Sequence, residues 1–225
     1  MSESTATPPS TPSHIWFLLD RSGSMEPLRE AVVEGFAEFI TEQQADDDGG
    51  RITLVQFDST DPQEVVIDGV PVREVLALTA QQFVPRGSTP LLDAIGQLVE
   101  RVDGRIAAGA DPADQLVVIF TDGYENASVH FSARQVSDLI DDRRRSGWTF
   151  VFLGANQDSF RTASTMGMAA GSTANWTADA TGARDALRRT SRSTLDYKRS
   201  SRRQRLAQRD RFFDNDAGGE TISPE

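Results

Sequence analysis

Two short, nearly continuous apolar runs set the limits on what this chain can become. His14-Ile15-Trp16-Phe17-Leu18-Leu19 and Gln115-Leu116-Val117-Val118-Ile119-Phe120 both lack the apolar/polar alternation of a half-solvated strand. Such runs belong to strands buried on both faces, as in a parallel sheet covered by helices. The intervening segments supply the covers. Pro27 stands where the first turn of a helix tolerates it. Leu28, Ala31, Val32, Phe36, Phe39 and Ile40 follow at helical spacing, up to the acidic and glycine residues at 46–50. Residues 51–58 read as a second strand. Residues 63–72, broken by Asp68-Gly69, read as an edge strand or hairpin, and 73–76 as a short helix. Amphipathic helices are expected over 90–107, with Leu91, Leu92, Ile95, Leu98, Val99 and Val102 inward, and over 132–146, with Gly147 as the stop. Residues 148–153 are a further strand, 159–166 a helix, the small-residue stretch up to Asn175 a loop, and 179–210 one long polar helix.

Strands alternating with helices through short loops predict an α/β fold: a doubly wound, Rossmann-like, mostly parallel sheet with helices on both faces. Residues 1–13 are rich in Ser, Thr and Pro, with neither a basic start nor an apolar stretch, and are expected to be a flexible leader. The domain is expected over 14–210, including a basic C-terminal helix from about 179, with a disordered tail over 211–225.

Composition removes several chemistries. With no cysteine there is no disulfide, thiolate metal site or cysteine nucleophile. No apolar run approaches the ~20 residues that cross a bilayer, so a cytoplasmic protein without membrane association is expected. The net charge of −11 is uneven. Residues 184–211 hold ten arginines and Lys198 against Asp185, Asp196 and Asp210, a balance of +8 that leaves −19 for the remainder. An acidic body disfavours nucleic-acid binding. The favoured reading of the basic segment is a solvated helix face, with docking on that body as one form of it. The other reading, an arm for nucleic acid or an acidic partner, has only Tyr197, Phe212 and Phe213 to stack on bases. Lys198 is the only lysine, which reads as compositional bias.

Asp20 and Asp122 each fall at or just after the end of an apolar strand, where open α/β sheets bind their ligands. Asp20-Arg21-Ser22-Gly23-Ser24 puts a carboxylate and two hydroxyls on one loop, with Gly23 giving the turn freedom to aim both serines alike. Thr89 adds a hydroxyl and Asp122 a second carboxylate. Taken singly, each residue is as well explained as a helix cap or a turn. Three loops together make an all-oxygen donor set, which selects magnesium, manganese or calcium and argues against zinc or copper.

These residues in this order, with Thr89 in Ser-Thr-Pro-Leu-Leu-Asp and Thr121-Asp122-Gly123 after an apolar strand, resemble a von Willebrand factor A (VWA) domain and its metal-ion-dependent adhesion site. The resemblance covers about 15–210. Tyr124-Glu125-Asn126-Ala127-Ser128 and Leu153-Gly154-Ala155-Asn156-Gln157-Asp158 further resemble bacterial intracellular members. The resemblance implies that Ser22 and Ser24 bind the metal directly, Thr89 directly or through water, and that Asp20 and Asp122 support them as ligands or through bound water. It implies a non-catalytic module in which a protein partner donates an Asp or Glu to the metal, with an AAA+ ATPase or a stress-response or signalling assembly as a plausible partner. Arg21, expected to point to solvent, and Tyr124 are the residues expected to face that partner.

The alternative is a metal-dependent phosphoester hydrolase. Enzymes with an aspartate nucleophile want a second carboxylate two residues on, where this chain has Ser22. Neither G-x-x-x-x-G-K-[ST] nor G-x-G-x-x-G follows the first strand. His14 reads as structural and His130 as a solvated loop residue. Asp58 reads as a strand-end residue, and Asp93 as favouring its helix start through the dipole.

Overall fold

The computed structural model describes residues 11–46, 48–109, 114–155 and 159–214. Strands β1 (Ser13–Asp20) and β4 (Asp114–Thr121) are buried along their whole lengths. They run parallel, with Leu19 opposite Phe120, at the centre of a six-stranded sheet of order β3-β2-β1-β4-β5-β6. Strands β2 (Arg51–Phe57), β5 (Thr149–Ala155) and β6 (Thr173–Trp176) are also parallel. Among the described residues only β3 (Glu64–Pro71), at one edge, is antiparallel, with its register shifted against β2. This is the doubly wound α/β fold expected from the sequence.

Alternate side chains of the central strands enter different cores. Ile15, Phe17, Leu19, Val118 and Phe120 pack with α1 (Arg29–Ala45) and α5 (Ala180–Arg199). Trp16, Leu18, Val117 and Ile119 pack with α2 (Leu91–Ala107) and α3 (Ala133–Arg145). Phe17 meets Phe36 and Phe39 edge-on at 5.2 and 5.6 Å. Burying one such ring is worth about 1.5–3 kcal/mol, so the central strands are held from both sides.

The structure departs from the sequence reading at several points along the chain. Pro27 lies inside a 3-10 turn, Gly23–Leu28, and α1 begins only at Arg29. The small-residue stretch before Asn175 leads into β6, whose Ala174 and Trp176 reach the core. The long C-terminal helix is two helices, α5 and α6 (Arg202–Gln208), because Ser201 and Gln204 form a capping box that starts a new one. Phe212 and Phe213, placed by the sequence reading in a disordered tail, are buried, with the Arg189 guanidinium 4.7 Å over the Phe213 ring. Residues 215–225 and 1–10 lie outside the described residues. Helix α4 (Ser159–Thr165) is as expected.

The basic segment does dock on the acidic body. Arg184 pairs with Glu34 (3.3 Å), Arg188 with Glu38 (3.6 Å) and Arg199 with Asp46 (2.9 Å). Those pairs are partly solvated and contribute little. The buried cations matter more. Arg205 bonds Asp114 (3.1 Å) and the carbonyl of Tyr197 (2.8 Å). Lys198 donates to the carbonyls of Gln43 (3.1 Å) and Asp46 at the end of α1. A cation there complements the negative end of the helix, so this lysine has a structural role that composition does not suggest. Among the described residues, no helix is long and apolar enough to cross a membrane.

The chain winds from β1 out through β2 to β3, then returns to β4 and winds the other way. The strand order reverses between β1 and β4, and the carboxyl ends of these two strands flank the crevice where such sheets bind ligands.

Candidate metal centre

Asp20 closes β1 and is fully buried. Its Oδ1 accepts the Ser22 amide (2.7 Å) and its Oδ2 accepts Thr121 Oγ1 (2.5 Å), tying together the ends of the two central strands. Ser22 Oγ lies 3.1 Å from Ser24 Oγ, and Ser24 Oγ donates to Asp122 Oδ1 at 2.8 Å. Thr89 completes the group beside Gly123. A Cβ at position 123 would lie 2.9 Å from Thr89 Oγ1, 3.6 Å from Ser24 Oγ and 3.7 Å from Asp20 Oδ2. The five oxygen-bearing residues singled out by the sequence therefore converge from three loops on one crevice.

Two carboxyl groups near one another in a buried place are costly to ionise. Burial pushes Asp20 up to about 6, against the hydrogen bonds from Thr121 and Ser22, and Asp122 pushes it further the same way. Burial also raises Asp122, partly offset by Ser24. Among the described residues there is no group of three or more His, Cys, Asp or Glu placed to hold a metal. The donors here are instead hydroxyls backed by two carboxylates. An all-oxygen set with excess negative charge, around a space that only glycine leaves open, fits a hard divalent cation.

Gly23 acts differently from the expectation. It lies outside the left-handed region occupied by Gly87 (φ 65°), and its amide donates to the Gly87 carbonyl at 3.0 Å. Its smallness serves close approach, since a Cβ there would sit 3.3 Å from that carbonyl.

Arg21 does not point to solvent. Its side chain is 3% exposed and pairs with Asp58 (2.5 Å) and Glu64 (2.6 Å), with Gln56 accepting at 3.2 Å. Its carboxylate partners lie 37 and 43 residues away, out of reach of any local sequence signal. Burial alone would raise Asp58, but the amides of Thr60 and Asp61 and the Arg21 guanidinium outweigh it and hold its carboxyl below the usual value. The half-exposed Arg86 joins the same carboxylates, and its amide donates to the Arg21 carbonyl (2.8 Å). Asp58 and Arg21 thus lace together the loops that carry Ser22 and Thr89.

A second lacing, absent from the sequence reading, runs along the loop from 122 to 131. Asp93 is an acceptor for the amides of Val129, His130 and Phe131 at 2.8–2.9 Å, a more specific role than a dipole partner. Glu125 accepts from the Leu92, Ala127 and Ser128 amides and from Ser128 Oγ. Phe131 lies flat where a Cβ on Gly96 would stand. Tyr124 and His130 are exposed on this loop, and His14 is buried against Thr53 Oγ1 at 2.9 Å and stacked on Trp16.

A sequence profile of the von Willebrand factor type A domain matches residues 14–187. The chain belongs to this family. Solved structures share its fold at low identity. Proximal thread matrix protein 1 from the mussel byssus, solved with a zinc-occupied MIDAS motif, matches with TM-score 0.61 and 17% identity over 80% of this chain and 47% of that one. The pilus adhesin SpaC of Lactobacillus rhamnosus GG matches with TM-score 0.61 and 13% identity over 82% and 30%. The manganese-loaded TRAP protein of Plasmodium vivax matches with TM-score 0.52 and 16% identity over 79% and 72%. The VWA chain thus spans about half of the mussel protein and less than a third of the adhesin. No curated protein sequence matches it.

Proposed function

We propose that this VWA chain is a non-catalytic interaction module with an intact metal-ion-dependent adhesion site, which grips an acidic side chain of a protein partner through a bound divalent cation. The observation that carries the reading is the convergence of Ser24, Asp122, Thr89 and Asp20 around Gly123 at the switch point of the sheet. Ser22 and Ser24 would hold the ion through Oγ, Thr89 directly or through water, and Asp20 and Asp122 would orient those hydroxyls and bound water. The cation, for which we favour magnesium, supplies positive charge and an open position for a carboxylate. Neutral hydroxyl ligands leave more of that charge for the partner than a carboxylate cage would. Tyr124, half exposed beside Gly123, would touch the incoming segment. Neighbours carrying zinc and manganese support a divalent ion without fixing which.

The resemblance to bacterial intracellular members extends the proposal to a cytoplasmic setting and to a partner in an AAA+ ATPase, stress-response or signalling assembly. The phosphoester-hydrolase alternative gains no support from the fold or its neighbours.

The test is affinity purification with the wild-type chain and with Ser22→Ala/Ser24→Ala, with and without magnesium. The reading expects a partner retained only by wild type with magnesium, and lost when one of that partner's Asp or Glu residues becomes an amide. Retention by the double variant or in chelator, with its fold intact by circular dichroism, overturns it.

A further inference from the structure

Thr89 is buried, yet the side chain that holds its backbone is exposed. The Thr89 amide donates to Asn126 Oδ1 (2.9 Å), and the Thr89 carbonyl accepts the Asn126 amide (3.1 Å). Asn126 is therefore a two-way clasp, 37 residues away in sequence, on the residue whose hydroxyl faces position 123. Its flanks are secured without it. Glu125 ties the loop to the Leu92 amide (2.8 Å), and Asp93 ties it through Val129, His130 and Phe131. Removing the Asn126 side-chain amide would release the Thr89 N–H, while the backbone bond to the Thr89 carbonyl and the seating of the loop on α2 stay. An exposed side chain that fills no core and braces one buried residue points to a role in setting that residue.

We propose that Asn126 is a positioning residue for the cation site: by clasping the backbone of Thr89 it aims Thr89 Oγ1 into the space beside Gly123 that Ser24 Oγ and Asp20 Oδ2 border. The inference rests on reading that space as a metal centre. Groups that orient a ligand without touching the metal typically change affinity by about 10–100-fold, and a brace on one ligand of several belongs at the lower end.

The test is a double-variant cycle on magnesium affinity, measured by calorimetry on the full chain, with the melting temperature of each metal-free protein recorded alongside. Asn126→Ala should weaken binding about tenfold. Thr89→Ala should weaken it at least as much, and the double variant should bind no more weakly than Thr89→Ala alone, because the clasp acts through a hydroxyl already removed. A purely structural role would lower the melting temperature and leave affinity unchanged, or add its loss to that of Thr89→Ala; either result overturns the inference and leaves the metal centre standing. A wild-type chain that binds no magnesium overturns both. Should Asn126→Ala fail to fold, Asn126→Gln keeps the amide but displaces it by one methylene. The same tenfold loss is expected there, and unchanged affinity overturns the inference.

Discussion

Substituting Asp20 with asparagine should stabilise the metal-free chain at pH 7.5 and leave it nearly unchanged at pH 4. Asp20 is fully buried, and its carboxyl is pushed from 3.8 up to about 6. The native state therefore holds this proton more tightly than the unfolded chain does. The resulting stabilisation is fully present below pH 4 and is lost as pH rises through 6. A gap of about two units at 1.36 kcal/mol each makes the swing about 3 kcal/mol. For a chain of this length that corresponds to roughly 6–12 °C in melting temperature. Asp58 works in the opposite sense, since its lowered pKa gives stability above the usual carboxylate range that is lost on acidification. That contribution is common to both proteins and cancels in the difference. Melting curves of wild type and Asp20→Asn from pH 4 to 8 in chelator should show the variant's advantage growing with pH. Saturating magnesium at pH 7.5 should reverse the order, because an ion that binds only the native state stabilises it. A difference that stays flat with pH would refute the account of Asp20 as a carboxylate held at a cost.

Two further substitutions separate the site from its scaffold. Gly123→Ala puts a Cβ 2.9 Å from Thr89 Oγ1. The obstructing atom tips a rotatable side chain, so denaturant titration should show a cost of about 1 kcal/mol, at the low end for overpacking. Calorimetry should show magnesium binding weakened at least tenfold, and undiminished affinity would count against Thr89 as a ligand. Arg21→Ala leaves Asp58 buried with the Thr60 and Asp61 amides and the half-exposed Arg86 as partners, and removes its buried cation. Breaking a buried pair in this way should cost about 3–5 kcal/mol, read as a lower urea midpoint. Arg86→Ala should cost under about 1 kcal/mol. Equal costs would show that Arg21 is not the keystone of that network.

Much of this was legible because it is local. The buried strands announce themselves as unbroken apolar runs, and the aspartates at or just after their ends, Asp20 and Asp122, mark the crevice. What escaped was set by distance or by weak contrast. Arg21 sits among ligands and reads as a surface residue until Asp58 and Glu64 are brought beside it. Asp93 and Asn126 owe their roles to the fold that lays the loop from 122 to 131 across the start of α2. Strand β6 spans only four residues at a sheet edge and shows too short a pattern to register. The break between α5 and α6 did carry a signal, Ser201 three residues before Gln204, but it was submerged in a continuous arginine-rich stretch.

The central claim is that a divalent ion sits where β1 and β4 end. Crystals grown with manganese and measured at its absorption edge test it most directly, because the anomalous signal reports the ion itself. The account predicts a strong anomalous peak bordered by Ser22, Ser24 and Thr89, absent from crystals of Ser22→Ala/Ser24→Ala. A well-ordered wild-type crystal with manganese elsewhere, or with no peak in this crevice, would contradict it.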